Sequence, residues 1–220
     1  MIRVSLEVQK KLLSLPESGM GYQVIEATYS DFSRKECIVL NASIAEPTYN
    51  RNARDILKSI SLEEANKIYK FASPSAEIID VKLKADKGIF KASVIKLSEA
   101  KGADKAPLEL TKKDERFVRF SPFEDDKRID KVNKEALPGT YATTKKDADY
   151  CIDHRIDPIA RYALPSILPV KYAFNICPCE RTVVQRGTVE SANDQSGGGE
   201  EALFPKGTDN NTVILPPNNL

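Results

Sequence analysis

Glu201 stands in the setting that most suggests chemistry. It lies in QSGGGEEALFPKG, residues 195–207, where Gly197, Gly198 and Gly199 run directly into a pair of glutamates and a short apolar stretch. Consecutive glycines cost backbone entropy, so they persist as slack in a surface loop or where backbone must bend beside something. In the second case Glu200 or Glu201 lies on a strand at the edge of a site, where a carboxylate can stabilise a developing positive charge. Arg119, in FVRF, offers a fork of donors that fits a phosphate or a ribose. Arg116 competes with it for that part. Tyr141 and Thr143, in GTYATT, follow a turn at Pro138–Gly139, and a tyrosine ring can stack on a flat heterocycle. Each residue also has a plainer reading. Arg119 can pair with an acid, Tyr141 can pack, and SANDQSGGGEE can be a surface loop.

A second constellation joins Cys151 and His154 to Cys177 and Cys179, which flank Pro178. Four such ligands can build a tetrahedral zinc site. The spacing Cys-x-x-His followed by Cys-x-Cys is not a standard zinc pairing, however, so no metal is expected. The plainer reading makes Cys177 a buried strand thiol and His154 a surface residue. His154 is the single histidine. That nearly excludes a Ser-His-Asp triad or a two-histidine ribonuclease mechanism. A Cys-His nucleophile pair would have to use His154, and no motif supports it.

The chain has 220 residues, 41% of them hydrophobic, enough for one large domain or two small ones. Its 33 basic and 32 acidic side chains nearly cancel. Neither half is a basic body that attracts nucleic acid by charge, and aromatic residues are sparse for base stacking. No run approaches the ~18 apolar residues of a membrane span. The opening MIRVSLEVQKKLLSLPESG is too polar for a signal peptide, so a cytoplasmic location is expected. The four cysteines are too few for a disulfide scaffold and read as reduced thiols.

The elements imply an α+β protein in two parts. Leu6, Gln9, Leu12 and Leu13 space a helix that Pro16 stops. Residues 22–30 and 35–46 read as a hairpin. A helix-compatible stretch spans 51–60, and Ser61 with Glu64 caps a helix over 61–73. Residues 76–99 form another hairpin, with Ile79, Val81 and Leu83 on its buried face. This first part, residues 1–100, reads as a small module of hairpins and helices for partner binding. Residues 101–115 are charged, contain Gly102 and Pro107, and read as a linker. The second part spans 116–215. It starts with a strand at 116–124, followed by a polar helix or ordered turn at 125–136. A strand at 141–143 then leads to a short helix capped by Thr144 and Asp147. A helix begins at Asp157–Pro158, strands follow at 170–178, 182–190 and 201–204, and 216–220 is a tail.

The order LPGTYATTKKDA, ARYALP, KYAFNI and QRGTVESANDQSGGGEEALFPKGT resembles the C-terminal toxin domains of bacterial polymorphic toxin systems. These look like divergent relatives of the mono-ADP-ribosyltransferase fold, with a split β-core. The resemblance covers residues 116–215. It implies that NAD is cleaved between nicotinamide and ribose, and that ADP-ribose passes to an acceptor, with an acceptor or inhibitor protein met through the first half. It implies Glu201 at the ribosyl cation, Arg119 on the dinucleotide and Tyr141 in the nicotinamide pocket. Thr143, Gly198 and Gly199 would contact the cofactor. That arrangement requires Arg119, Tyr141 and Glu201 to converge on one cleft. Two departures stand out. A second acid, Glu200, precedes Glu201, and Gly199 fills the slot where the family usually has Gln or Glu, which puts a protein acceptor in doubt. The alternatives are a binding or structural protein with the same fold, and a nuclease-type toxin, against which the near-neutral charge speaks.

Overall fold

The computed structural model of the chain describes residues 2–47, 76–84, 102–165 and 168–216. The helices expected over 51–60 and 61–73, and the return strand of the hairpin expected over 76–99, lie outside the described residues. The chain divides into two compact units. One joins Met1–Leu15 to Gln23–Lys87, and the other joins Pro16–Tyr22 to Gly88–Leu220. Among the described residues no helix is long and apolar enough to cross a membrane.

The first unit is built on alternation. Strand β2 (Tyr22–Tyr29) buries Ile25, Ala27 and Tyr29. It hairpins to β3 (Arg34–Leu40), which turns at residues 41–43 into β4 (Ile44–Pro47). The long return strand expected over 35–46 is therefore two strands, because Asn41 and Ala42 adopt positive φ of 52° and 48°. With β1 (Ile2–Arg3) and β5 (Ile78–Leu83) they form a five-stranded sheet in the order β1-β4-β3-β2-β5. Helix α1 (Leu6–Ser14) starts where Ser5 accepts the Val8 N–H, and it adds Val8 and Leu12 to the core.

The buried face of β5 differs from the expected one. Ile78 and Val81 are buried, while Ile79 is 52% exposed. The β2–β5 register shifts between Thr28 and Tyr29. An irregularity of this kind changes which residues face inward, so strict alternation from Ile79 fails.

The second unit is a seven-stranded antiparallel sheet in the order β14-β11-β7-β10-β13-β12-β6. Its strands are β6 (Leu108–Leu110), β7 (Phe117–Ser121), β10 (Thr140–Thr144), β11 (Tyr172–Ile176), β12 (Val183–Thr188), β13 (Glu200–Phe204) and β14 (Val213–Ile214). One core cluster joins Val118, Phe120, Tyr141 and Leu203 to Ala148, Cys151 and Tyr162. The last three come from helix α2 (Lys145–Asp153) and from the residue that ends helix α3 (Pro158–Arg161). A different cluster holds Phe117, Ala142, Phe174 and Phe204, with Phe117 edge-on to Phe204 at 5.1 Å. The whole is a sheet-rich α+β protein.

Two expectations about irregular segments are corrected. The expected linker contains a 3₁₀ turn at Ala103–Lys105 followed by β6, which pairs with β12. The segment at 125–136, expected as a polar helix or ordered turn, is a two-stranded ribbon of β8 (Ile129–Asp130) and β9 (Glu135–Ala136). Asp130 accepts the Val132 and Asn133 N–H groups and closes its turn.

Neighbouring residues on β5 test the shifted register. Ile78→Ala should lower unfolding free energy by about 2–5 kcal/mol and Ile79→Ala by less than about 0.5, as read by urea titration. Equal losses would refute the assigned register.

Candidate functional site

Strands β7, β10 and β13 lie side by side, so their register decides which side chains share a face. Thr143 opposes Val118, and Tyr141 opposes Leu203. Directly paired residues share a face, and successive residues alternate. Tyr141, Thr143 and Glu201 therefore share a face with Val118. Arg119, one residue on, belongs to the other face. The three expected stations do not converge.

Arg119 is 1% exposed. Its Nε donates to Asp126 Oδ2 at 2.9 Å, and Nη1 donates to Glu17 Oε2 at 2.8 Å and to the Tyr141 carbonyl at 3.0 Å. Nη2 donates to Glu17 Oε1 at 2.8 Å and to Asp126 Oδ1 at 3.2 Å. Every guanidinium N–H is thus engaged. Glu17 also accepts the Tyr141 N–H, and Arg128 lies 3.8 Å from it. Burial opposes the charge on Arg119, but Asp126 and Glu17 outweigh it and raise the guanidinium pKa. The expected dinucleotide anchor is corrected on this point, since no donor is left for a phosphate. The competitor Arg116 is exposed, and its carbonyl accepts the Lys145 N–H.

Glu201 and Tyr141 do lie together. Glu201 is 9% exposed, and its Oε2 accepts the Ala103 N–H at 2.9 Å, capping the 3₁₀ turn. Burial pushes its carboxyl up to about 7. Asp104 and Glu190 add to the rise, and the Ala103 N–H and Lys105 oppose it. Tyr141 is raised by its own burial first, then by Glu201 and Asp104. A carboxyl that shares its proton near neutrality can act as a general acid or base.

The glycines answer a different need. The Gly197 N–H donates to the Ala160 carbonyl, Gly198 to Val189, and Gly199 to Arg161. A Cβ on Gly199 would come 2.6 Å from the Tyr162 ring. The run lets backbone pass against α3 and the residues after β12. Gly198 and Gly199, expected at a cofactor, direct their N–H groups into the fold.

Asp147 is a hub that the sequence showed only as a capping residue. It accepts the Arg161 Nε at 3.0 Å, a second Arg161 nitrogen, the Tyr162 hydroxyl at 3.0 Å and the Glu200 N–H at 3.2 Å. Thr143 Oγ1 reaches it at 3.5 Å. Burial works against its charge, but Arg161 and Tyr162 hold its pKa below the usual carboxylate value. Thr144 both caps α2 and donates to Glu200. The hub ties α2 and α3 to the start of β13, and so sets where Glu201 begins its strand. The Thr144–Asp147 spacing was the only sequence signal for it.

The cysteines stay apart in role. Cys151 is buried, donates to the Ile156 carbonyl at 3.1 Å, and is raised by burial. His154 is exposed, with its ring 4.2 Å from that of Tyr150. All four thiols are free, and among the described residues no group of His, Cys, Asp and Glu is arranged to hold a metal.

Comparison with known proteins finds no matching family, curated protein or solved structure.

Arg119→Met should cost about 3–5 kcal/mol in urea unfolding, because it leaves Glu17 and Asp126 buried without their cation. A loss below about 1 kcal/mol would show the cluster to be solvated. Gly199→Ala should cost about 1–3 kcal/mol by forcing the Tyr162 ring aside, and an unchanged melting temperature would contradict the close approach.

Proposed function

We propose that the second unit is a binding or structural module on an ADP-ribosyltransferase-like scaffold, without transferase activity of its own. The observation that carries this reading is Arg119. It is consumed by Glu17, Asp126 and the Tyr141 carbonyl, on the face opposite Glu201. Gly198, Gly199 and Thr143 likewise make their contacts within the unit. The first unit is the partner-facing module. Its β2–β3 turn presents Phe32, 83% exposed and held at a φ of 60°, a conformation in which a bulky side chain is an outlier. An aromatic at such a point supports contact with a protein partner.

A second reading keeps the enzyme. Glu201 and Tyr141 share a face, and Glu201 titrates near neutrality. The resemblance to toxin domains favours NAD as the substrate. In that reading Glu201 stabilises the ribosyl cation, Tyr141 lines the nicotinamide pocket, and the phosphates are held by a group other than Arg119.

Nicotinamide release from NAD, measured beside Glu201→Gln, separates the two. The binding reading expects no release above background and no shift in melting temperature with NAD. Release that Glu201→Gln abolishes would overturn it and establish the enzyme.

A further inference from the structure

The seven-stranded sheet ends differently on its two sides. At β14 the outward N–H of Val213 is taken by the Lys134 carbonyl, from the turn of the β8–β9 ribbon. At the other side lies β6, and among the described residues no strand lies beyond it. β6 is held fast on its inner side. Leu110, Glu109 and Leu108 oppose Val183, Val184 and Gln185 on β12. The Thr111 N–H donates to the Thr182 carbonyl at 2.9 Å, and the Thr111 carbonyl accepts the Arg181 N–H at 2.9 Å. Arg186 Nε donates to Glu109 Oε2 at 3.1 Å, and Gln185 Nε2 donates to the Ala106 carbonyl at 2.6 Å.

The outer side follows by alternation. Thr111 turns its main-chain groups toward β12, so Glu109 does too, and Leu108 and Leu110 turn theirs away from the sheet. On either side of them the outward N–H groups are already satisfied. The Ala106 N–H ends on the Ala103 carbonyl, and the Lys112 N–H ends on Glu115 Oε2 at 2.9 Å. A proline can blunt an exposed edge, but Pro107 shares the inward parity of Glu109 and leaves this one open. The bare stretch is therefore Leu108–Leu110. The side chains of Leu108 and Leu110 lie on one face with Val183 and Gln185, and are 64% and 46% exposed.

We propose that β6 pairs with β6 of a second copy of this chain, antiparallel and centred on Glu109, so that the two sheets join edge to edge. The stretch is its own complement. Leu-Glu-Leu reads the same in both directions, which a two-fold contact requires and a contact with a different protein does not. Centring on Glu109 sets Leu108 of each copy opposite Leu110 of the other. Each such pair exchanges both of its main-chain hydrogen bonds, and every group left bare on the two edges is then satisfied. The leucines cover one another on one face. On the other face the two Glu109 side chains meet, each already paired with its own Arg186. The strand has three residues, so the buried area falls well short of the ~1,000 Å² of a stable interface, and the pair is weak and concentration-dependent. The pairing goes beyond the function proposed above and holds whether or not the unit cleaves NAD.

Sedimentation equilibrium of the full chain tests this. A monomer–dimer equilibrium should appear between about 10 μM and about 1 mM. Leu110→Pro removes an outward N–H that β12 does not use. It should weaken association about tenfold or more while the urea midpoint stays nearly unchanged. Two further chains decide the matter independently of how that variant folds. One carries Leu108→Lys with Leu110→Lys, and the other Leu108→Glu with Leu110→Glu. They should bind each other at least about tenfold more tightly than either binds itself, because each Lys then faces a Glu. A chain that is still monomeric at about 1 mM would overturn the proposal. So would a dimer indifferent to Leu110→Pro, or Lys and Glu chains that pair no better with each other than with themselves.

Discussion

A guanidinium sealed from water is the constraint around which the second unit is arranged. An unpaired buried cation is prohibitively unfavourable, so Arg119 must be met by charge and by hydrogen bonds on every side. Glu17 and Asp126 meet it with two contacts each, and the Tyr141 carbonyl takes the remaining donor. With Arg128 nearby the four ionised groups are neutral in sum. The requirement has topological consequences. It draws residues 16–22 into the second unit and binds β7 to the backbone of β10. A buried ionic cluster is weak evidence for net stability, but it penalises any register that leaves one member alone.

The opposite face is organised by carboxylates with different amounts of compensation. Asp147 is surrounded by Arg161, Tyr162 and the Glu200 N–H, and stays ionised. Glu201 has one backbone donor and two acidic neighbours, and holds its proton toward neutrality. Two acids from the same sheet region thus behave oppositely because their partners differ. The glycine run serves this arrangement by bringing the backbone before β13 against Tyr162.

What was legible in the sequence was local. The stop of α1 before Pro16, the Thr144 cap, the helix start at Asp157–Pro158, and the strands at β10, β11, β12 and β13 all follow from neighbouring residue types. Capping spacings, proline positions and apolar runs act over a few residues, so one chain displays them. The adjacency of Glu201 and Tyr141 comes from the β10–β13 register, in which Tyr141 opposes Leu203.

The rest was decided by contacts across long separations. Arg119 meets Glu17 across 102 positions, and Ala103 meets Glu201 across 98. Nothing near Arg119 tells a ligand-binding guanidinium from one enclosed by its own fold. A one-residue step in register places it on the wrong face for the expected site, and a shift beside Thr28 exposes Ile79. The sequence by itself determined which residue types could carry charge, turn or strand. Only the tertiary structure decided which charges face each other, because pairing energies depend on distance and burial, and neither is set by order along the chain.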